Sequence, residues 1–313
     1  MFYSFYTTKR FTAGLFSMLF LLLIASCHSK EATTTKSDGE QKIGILLVNH
    51  GSHSETWRNA LLDVEHHVKD DLMKDGNVKG VKTAFMEYNE PSIATRMKEF
   101  DKEGYTDVII IPIFLTVSPH TFEDIPTIVG LKEDPESKEM LELEKIERYT
   151  AKARVHITPL LDFTDILKRN VLRRVKELSK DPENEGLVLI GYGDEDYEKE
   201  WIALFNDVAK YVKKEVSISQ HTYGWCGHIA RYNPEETTKA IDKVLVKKKT
   251  AVVVPVLVAH DENFQIKIIG GGISNVKDNK TRVVYKPDAI LPDVNVDQWV
   301  IDIAVEYVKK IRK

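Results

Sequence analysis

The sequence predicts an α/β protein made of two similar halves, each built on a mostly parallel β-sheet. Short apolar runs with polar flanks alternate with segments whose apolar residues recur at helical spacing, which is the pattern of βα units. The run Ile43–Val48 is apolar throughout, as is typical of a parallel strand buried on both faces. Trp57 recurs as Trp201, 144 residues later, and other landmarks recur at nearly the same offset, which indicates a duplicated βαβα unit.

Length and composition are those of a globular protein large enough for two domains. The chain has 313 residues, of which 42% are hydrophobic and 29% are charged. Its formal net charge is −4, and it becomes −6 if the segment that holds the two positive residues Lys9 and Arg10 is removed. A mildly acidic chain without basic runs argues against nucleic acid as a partner.

The N-terminal segment has the features of an export signal. A basic region with Lys9 precedes the apolar stretch Phe11–Ile24, which is short for a membrane span, and small residues then lead to Cys27. This order resembles a bacterial lipobox, so we expect a lipoprotein signal peptide over residues 1–26, an acylated Cys27 and a flexible polar tether over residues 27–41. The expected location is the periplasmic face of a membrane or the outer membrane. A plain signal peptide and an uncleaved anchor are the alternatives.

In the first half, histidines follow two of the predicted strands. Ile43–Val48 stops at Asn49–Ser52, which contains His50 and precedes a predicted amphipathic helix. The central strand Val108–Leu115 ends shortly before His120. Because ligands bind at the carboxyl ends of strands in open α/β sheets, both histidines are candidates for function. The alternative for each is a structural histidine in a turn.

The second half repeats this layout. Gly186–Ile190 is another apolar run, and Tyr192 follows it at the position that a histidine occupies in the first half. Val252–Val258 corresponds to the central strand. We therefore expect an N-terminal lobe over residues 42–162 and a C-terminal lobe over residues 163–313.

Familiar catalytic signatures are missing from the sequence, which has no GxSxG elbow, P-loop, dinucleotide GxGxxG or HExxH motif. Gly270–Gly272 fits no phosphate-binding motif and is expected to be a loop. Cys226 and His228 form one soft pair, which lacks the four ligands of a structural zinc site. What remains is His50 with His120. Two neutral imidazoles that face one crevice can bind a borderline divalent metal or accept protons near neutral pH.

Insertion of a metal into a tetrapyrrole needs both abilities, and here the sequence resembles a known family. Leu46–Ser52 and Ile111–Leu115, followed by His120, look like the class II chelatases, the sirohydrochlorin cobaltochelatases and ferrochelatases of the CbiX type. The two-lobed layout and Val254–Asp261 are similar to the CbiK branch. The resemblance covers residues 42–313. It implies two flavodoxin-like lobes that clasp the macrocycle in a cleft between them, and metal insertion without ATP.

The resemblance also implies which residues act. His50 and His120 are the expected catalytic and metal-binding residues. The residues that we assign to substrate binding are Asn49, Ser52, Tyr192 and His260. In the CbiK branch the working histidines lie in the second lobe, which stays open as an alternative. We place the site in the first lobe because only that lobe retains both histidines in the pattern.

Two functional hypotheses follow. The first is a membrane-anchored lyase that inserts Co²⁺ into sirohydrochlorin in cobalamin-type tetrapyrrole biosynthesis, with Ni²⁺ or Fe²⁺ as alternative metal substrates and no organic cofactor. The second is an exported lipoprotein of the same fold that binds a tetrapyrrole or a metal without turnover. Export favours the second hypothesis, whereas the histidine pair favours the first. The expected partners are the tetrapyrrole, the membrane through the lipid anchor and, as a further option, a second copy of the chain.

Overall fold

The computed structural model of the protein describes residues 41–115, 123–160 and 163–313. The expected signal peptide, Cys27 and His120 lie outside these residues. The described strands are Ile43–Asn49 (β1), Val78–Phe85 (β2), Asp107–Pro112 (β3), Arg154–Ile157 (β4), Glu185–Gly191 (β5), Gln220–Trp225 (β6), Thr250–Val256 (β7) and Val283–Tyr285 (β8).

Helices connect these strands and cover both sheets. The described α-helices are Glu55–Met73 (α1), Ile93–Lys102 (α2), Ile125–Ile128 (α3), Pro135–Leu143 (α4), Phe163–Leu178 (α5), Glu198–Glu215 (α6), Glu235–Leu245 (α7), Gly270–Ser274 (α8), Asn279–Arg282 (α9) and Val294–Ile311 (α10). A 3₁₀ turn covers Pro182–Asn184, and a π-helix covers Asn263–Ile269.

The two sheets have the same topology. The first has the strand order β2-β1-β3-β4 and the second β6-β5-β7-β8, and every pairing is parallel. All seven residues of β1 are buried, because Ile45 and Leu47 face a core shared with the second half while Leu46 and Val48 face a separate outer core. The α/β fold of two parallel-sheet lobes, predicted from the apolar runs and the repeat, is confirmed.

The helix that follows the last strand of each sheet packs against the elements of the other sheet. Helix α5 covers the second sheet, where Arg174 Nη1 donates to the carbonyl oxygen of Pro255 at 2.7 Å. Helix α10 lies against α1 of the first half, where His67 Nδ1 is 3.0 Å from Asp297 Oδ2. Apolar residues of both helices join the inner faces of both sheets in one continuous core. This exchange ties the two lobes together and fixes the position of their strand ends.

The glycine run is helical, so its assignment to a loop was wrong. Gly270 begins α8 directly after the π-helix. A Cβ atom on Gly272 would lie 2.3 Å from the carbonyl oxygen of Pro234 and 2.6 Å from Thr237 Cβ. Glycine therefore lets α8 approach α7 closely, and Thr238 Oγ1 donates to the carbonyl oxygen of Gly272 at 2.8 Å.

The buried carboxylate of Asp107 connects the inner strand β3 to the edge strand β4 of the first sheet. Arg154 Nη2 donates to Asp107 Oδ2 at 2.9 Å, and His156 Nε2 lies 2.9 Å from Asp107 Oδ1. Burial would raise the pKa of Asp107, but hydrogen bonds from Arg154, His156 and Thr106 outweigh it and hold the pKa below its usual value. The ionised form of Asp107 therefore stabilises the pairing of β3 with β4.

Within the described residues, no helix has both the length and the apolar character needed to cross a bilayer.

Candidate functional site

A cavity of about 810 Å³ lies where the carboxyl ends of the two sheets meet. Its walls come from the segments after β1, β2 and β3 in the first lobe and after β5, β6 and β7 in the second. This volume is at the upper end of the range for small-molecule sites. The cavity is in the cleft where the resemblance placed the ligand.

A turn after β1 that glycine adopts without strain directs the first-lobe residues toward this cavity. Gly51 has a φ of +106°, and a Cβ atom there would lie 2.1 Å from the carbonyl oxygen of Glu87. The backbone N–H of Glu87 donates to the carbonyl oxygen of His50 at 2.8 Å, and the N–H of Ser52 donates to Asn89 Oδ1 at 2.9 Å. The turn after β1 and the loop after β2 therefore form one hydrogen-bonded unit.

This unit places an imidazole beside a carboxylate. His50 Nε2 is 3.9 Å from Glu87 Oε2, and the His50 side chain is 36% exposed while that of Glu87 is 6% exposed. His50 Nδ1 lies 3.2 Å from the carbonyl oxygen of Gly51. If Nδ1 carries the proton and donates to that oxygen, the Nε2 lone pair faces the side of Glu87. Ligand atoms about 2.1 Å from one tetrahedrally coordinated ion lie about 3.4 Å apart, so the two groups can share one ion after a small shift of either side chain.

Glu87 was not identified from the sequence, although its position after a predicted strand was a signal. It follows β2 almost directly, so its side chain emerges at the same sheet edge as His50. His120, the expected second ligand, lies outside the described residues. Among the residues that are described, no group of three or more histidine, cysteine, aspartate or glutamate side chains is arranged to hold a metal.

The two flanking residues that were assigned to substrate binding differ in position. Ser52 lines the cavity, and its Oγ donates to Asp261 Oδ2 of the second lobe at 3.1 Å. Asn49 is fully buried and is absent from the cavity wall. Within the described part of the chain, neither amide atom of its side chain has a hydrogen-bond partner. The structure therefore brings Ser52, and not Asn49, to the place where a ligand would lie.

The second lobe contributes a hydrogen-bonded aromatic cluster. Tyr192 Oη lies 3.1 Å from His228 Nε2 and 3.0 Å from Tyr232 Oη, and the ring of Phe264 packs 5.4 Å from that of Tyr192. Gly193, with a φ of +82°, repeats the turn that follows β1. Burial, followed by the hydrogen bond with Tyr232, raises the pKa of Tyr192 well above its usual value, so the phenol stays neutral near pH ~7.

His228 is the cavity-facing member of the pair that the sequence offered as soft ligands. Its partner Cys226 is fully buried, its Sγ is 3.3 Å from the carbonyl oxygen of Gly191, and burial raises the pKa of the thiol. A thiolate ligand is therefore disfavoured there. His260, assigned to substrate binding, is half-buried and does not line the cavity, whereas the next residue, Asp261, does.

Two exposed tyrosines at the cavity wall have left-handed backbones. Tyr88 has a φ of 62° and Tyr232 a φ of 57°. For a bulky residue this conformation is rare and costs roughly 1–3 kcal/mol. Burial, followed by the Glu87 carboxylate, raises the pKa of Tyr88 to about 12, and Tyr232 of the other lobe adds to this shift.

Charged side chains on the described cavity wall are mainly acidic. One lysine, Lys267, is accompanied by four carboxylates, which belong to Glu55, Asp194, Asp261 and Glu262. Walls of one sign raise the local concentration of ions of the opposite sign. The cavity therefore favours the approach of a cation.

Comparison of the sequence with known proteins gives a consistent family. A sequence model of the CbiX family matches residues 44–178. A sirohydrochlorin cobaltochelatase of Methanococcoides burtonii is 35% identical over 99 residues, which are 32% of this chain and 71% of that protein. One from Methanothermobacter thermautotrophicus is 34% identical over 31% of this chain and 64% of its own length. One from Methanococcus maripaludis is 35% identical over 28% of this chain and 59% of its own length.

Solved structures extend the likeness of the fold to both lobes. The sirohydrochlorin chelatase SirB of Bacillus subtilis subspecies spizizenii, in complex with cobalt, aligns with a TM-score of 0.59 and 17% identity over 86% of this chain and 96% of that chain. SirB of Bacillus subtilis with Fe³⁺ aligns with a TM-score of 0.62 and 20% identity over 85% of this chain and 95% of that chain.

Proposed function

The chain belongs to the CbiX family, and we propose that it is a chelatase that inserts Co²⁺ into sirohydrochlorin without ATP. One observation carries the proposal. The imidazole of His50 and the carboxylate of Glu87 stand 3.9 Å apart at adjacent strand ends, beside a cavity of about 810 Å³. This pair supplies both a place for the ion and bases for the protons that the ion displaces.

The reaction exchanges ligands on the ion. His50 Nε2 and a Glu87 oxygen hold the ion while the macrocycle occupies the cavity. Two pyrrole N–H bonds break as two bonds from nitrogen to the metal form, and the ion leaves its protein ligands. The imidazole and the carboxylate are then free to accept one proton each, and both pass to solvent. His120, expected at a neighbouring strand end, is the further candidate ligand and base.

Co²⁺ is preferred because the similar curated proteins are named cobaltochelatases. An imidazole and a carboxylate also suit Fe²⁺ and Ni²⁺, and affinity alone orders these ions as Fe²⁺ below Co²⁺ below Ni²⁺. Metal selection is therefore expected to appear in insertion rates more clearly than in metal affinity.

A second candidate function is non-catalytic binding of a tetrapyrrole or a metal by an exported lipoprotein. The sequence that leads to Cys27 favours it, since an export signal would place the protein outside the compartment where tetrapyrroles are normally made. Turnover separates the two functions, because a binding protein would take up the macrocycle and the ion without releasing a metallated product.

The test is an absorbance assay of the purified full-length chain with sirohydrochlorin and each of Co²⁺, Ni²⁺ and Fe²⁺, without ATP and without oxygen. We expect multiple turnovers with Co²⁺. His50→Ala and Glu87→Gln should each slow insertion by about 10²-fold, the effect of losing a positioned acid–base group. His120→Ala should do the same. The variant that lacks both histidines should be little worse than either single variant, since groups that act as a unit are not additive.

A histidine outside the cavity provides the matched control. His66 is exposed on α1, so His66→Ala should insert Co²⁺ at the wild-type rate. Wild-type rates in His50→Ala or Glu87→Gln would remove that residue from the site. Stoichiometric uptake without turnover in the wild-type protein would establish the binding function instead.

A further inference from the structure

The internal duplication preserves one feature that the proposed reaction does not use. Tyr88-Asn89 follows β2, and Tyr232-Asn233 follows β6, 144 residues later. This offset is the one that relates Trp57 to Trp201. The same dipeptide therefore occupies the same strand-to-helix loop in both lobes.

Both tyrosines are held in a strained backbone without being buried. Their left-handed φ values of 62° and 57° accompany exposed fractions of 61% for Tyr88 and 44% for Tyr232. The asparagine that follows each one fixes its loop. Asn89 Oδ1 accepts from the N–H of Ser52 at 2.9 Å, and Asn233 Oδ1 accepts from the N–H of Glu235 at 3.0 Å. Packing into the core explains neither tyrosine, and strain of this kind is concentrated at ligand clamps.

Each tyrosine ring joins the polar wall of its own lobe. Tyr88 has its ring centroid 5.9 Å from that of His50 and 4.9 Å from that of His53. Tyr232 lies 5.8 Å from His228, measured between ring centroids, and its Oη is 3.0 Å from that of Tyr192. Both rings line the same cavity, Tyr88 from the first lobe and Tyr232 from the second.

We propose that Tyr88 and Tyr232 form an aromatic clamp that grips a flat, conjugated tetrapyrrole ring between the lobes. The proposal rests on the proposed function and adds the residues that hold its substrate. A conjugated macrocycle offers π surface for stacking or edge contacts with both phenol rings, while its carboxylate substituents lie at its periphery in water. Stacking is tolerant of small changes in ring substitution, so the clamp selects flatness and not a particular side-chain pattern.

The test measures binding of metal-free sirohydrochlorin to the full-length chain in the absence of metal, by titration of its visible absorbance. At each position the ring is kept in Tyr→Phe and removed in Tyr→Leu. We expect Tyr88→Phe and Tyr232→Phe to bind within about twofold of wild type. Tyr88→Leu and Tyr232→Leu should each bind about 3- to 10-fold more weakly, and the double Leu variant about 10- to 100-fold more weakly.

Backbone strain gives a second readout. Asparagine tolerates a left-handed conformation, so Tyr88→Asn should weaken macrocycle binding but raise the melting temperature by ~2–4 °C. Leu variants that bind the macrocycle as tightly as wild type would overturn the clamp, and so would Phe variants that are as weak as Leu variants. If the wild-type chain binds the macrocycle, loses binding in the Leu variants and yet inserts no metal, the proposed chelatase activity fails while the clamp stands. Failure of the wild-type chain to bind the macrocycle overturns the clamp.

Discussion

Alanine substitutions at three glycines with a positive φ test whether the turn after β1 holds the candidate site in place. A Cβ atom at Gly51 would meet the backbone oxygen of Glu87 at 2.1 Å, and one at Gly193 would meet Trp225 Cε3 at 2.8 Å. At Gly76 nothing lies within 4 Å. Gly76→Ala therefore carries only the left-handed conformational cost of about 1–2 kcal/mol. Gly51→Ala adds overpacking against backbone, typically about 1–3 kcal/mol, and strains the hydrogen bond from Glu87 to His50.

The expected order of stability is Gly76→Ala, then Gly193→Ala, then Gly51→Ala. A Cβ atom at Gly51 would lie 2.1 Å from the carbonyl oxygen of Glu87, and that oxygen would have to move by about 0.9 Å to restore a contact of 3.0 Å. Gly51→Ala should therefore lose about 3 kcal/mol or more of its free energy of unfolding, and melt about 4 °C or more below Gly76→Ala by circular dichroism. The same displacement separates Glu87 from His50, so calorimetric binding of Co²⁺ should weaken in Gly51→Ala and stay normal in Gly76→Ala. Equal melting temperatures and equal Co²⁺ affinities in these two variants would refute the reasoning.

Three further predictions follow from other parts of the chain. The pKa of Asp107 is lowered by folding, so its contribution to stability is present above the unfolded pKa of about 3.9 and is lost as the pH falls through the folded pKa. Asp107→Asn should accordingly melt lower than wild type at pH ~7 and show a flatter loss of stability below pH ~4 in thermal scans. Tyr192→Phe removes a hydroxyl that joins the aromatic cluster and should weaken sirohydrochlorin binding more than it lowers the turnover rate, whereas His260→Ala, off the cavity wall, should leave both near wild type in steady-state kinetics. We also propose that Cys27 carries the lipid, so Cys27→Ser should be released from membranes, and an unmodified Cys27 in mass spectra of the mature wild-type protein would contradict this.

The repeat and the apolar runs were sufficient to predict the fold because strands buried on both faces leave a strong one-dimensional signal. The run Ile43–Val48 corresponds to β1, and Val252–Val258 overlaps β7. The prediction of a loop at Gly270–Gly272 was wrong because these glycines serve a tertiary contact, the close approach of α8 to α7. The packing of α10 against α1 of the first lobe was equally hidden from the sequence, since an amphipathic pattern shows that a helix packs but not against which element.

For the candidate site, the rule that ligands bind at strand ends pointed to His50, Ser52 and Tyr192, all of which line the cavity, but it was applied only to residues with familiar chemistry. The same logic applied to β2 points to Glu87, which is two residues beyond Phe85, the last residue of that strand. His260 differs from its neighbours, because Ala259 and Asp261 line the cavity while His260 itself does not.

Duplication supplied two copies of one strand-end turn, and the copies have diverged in chemistry. Gly51 and Gly193 keep the same left-handed turn, yet His50 follows β1 where Tyr192 follows β5. The first lobe therefore presents an imidazole with a carboxylate, and the second presents a neutral phenol within an aromatic cluster. In the proposed reaction the first-lobe wall brings the metal and the ring of Tyr88 to one face of a flat macrocycle, and the aromatic cluster of the second lobe contacts the other face. Such a division explains why one metal-binding wall suffices, since an ion needs access to only one face of the ring.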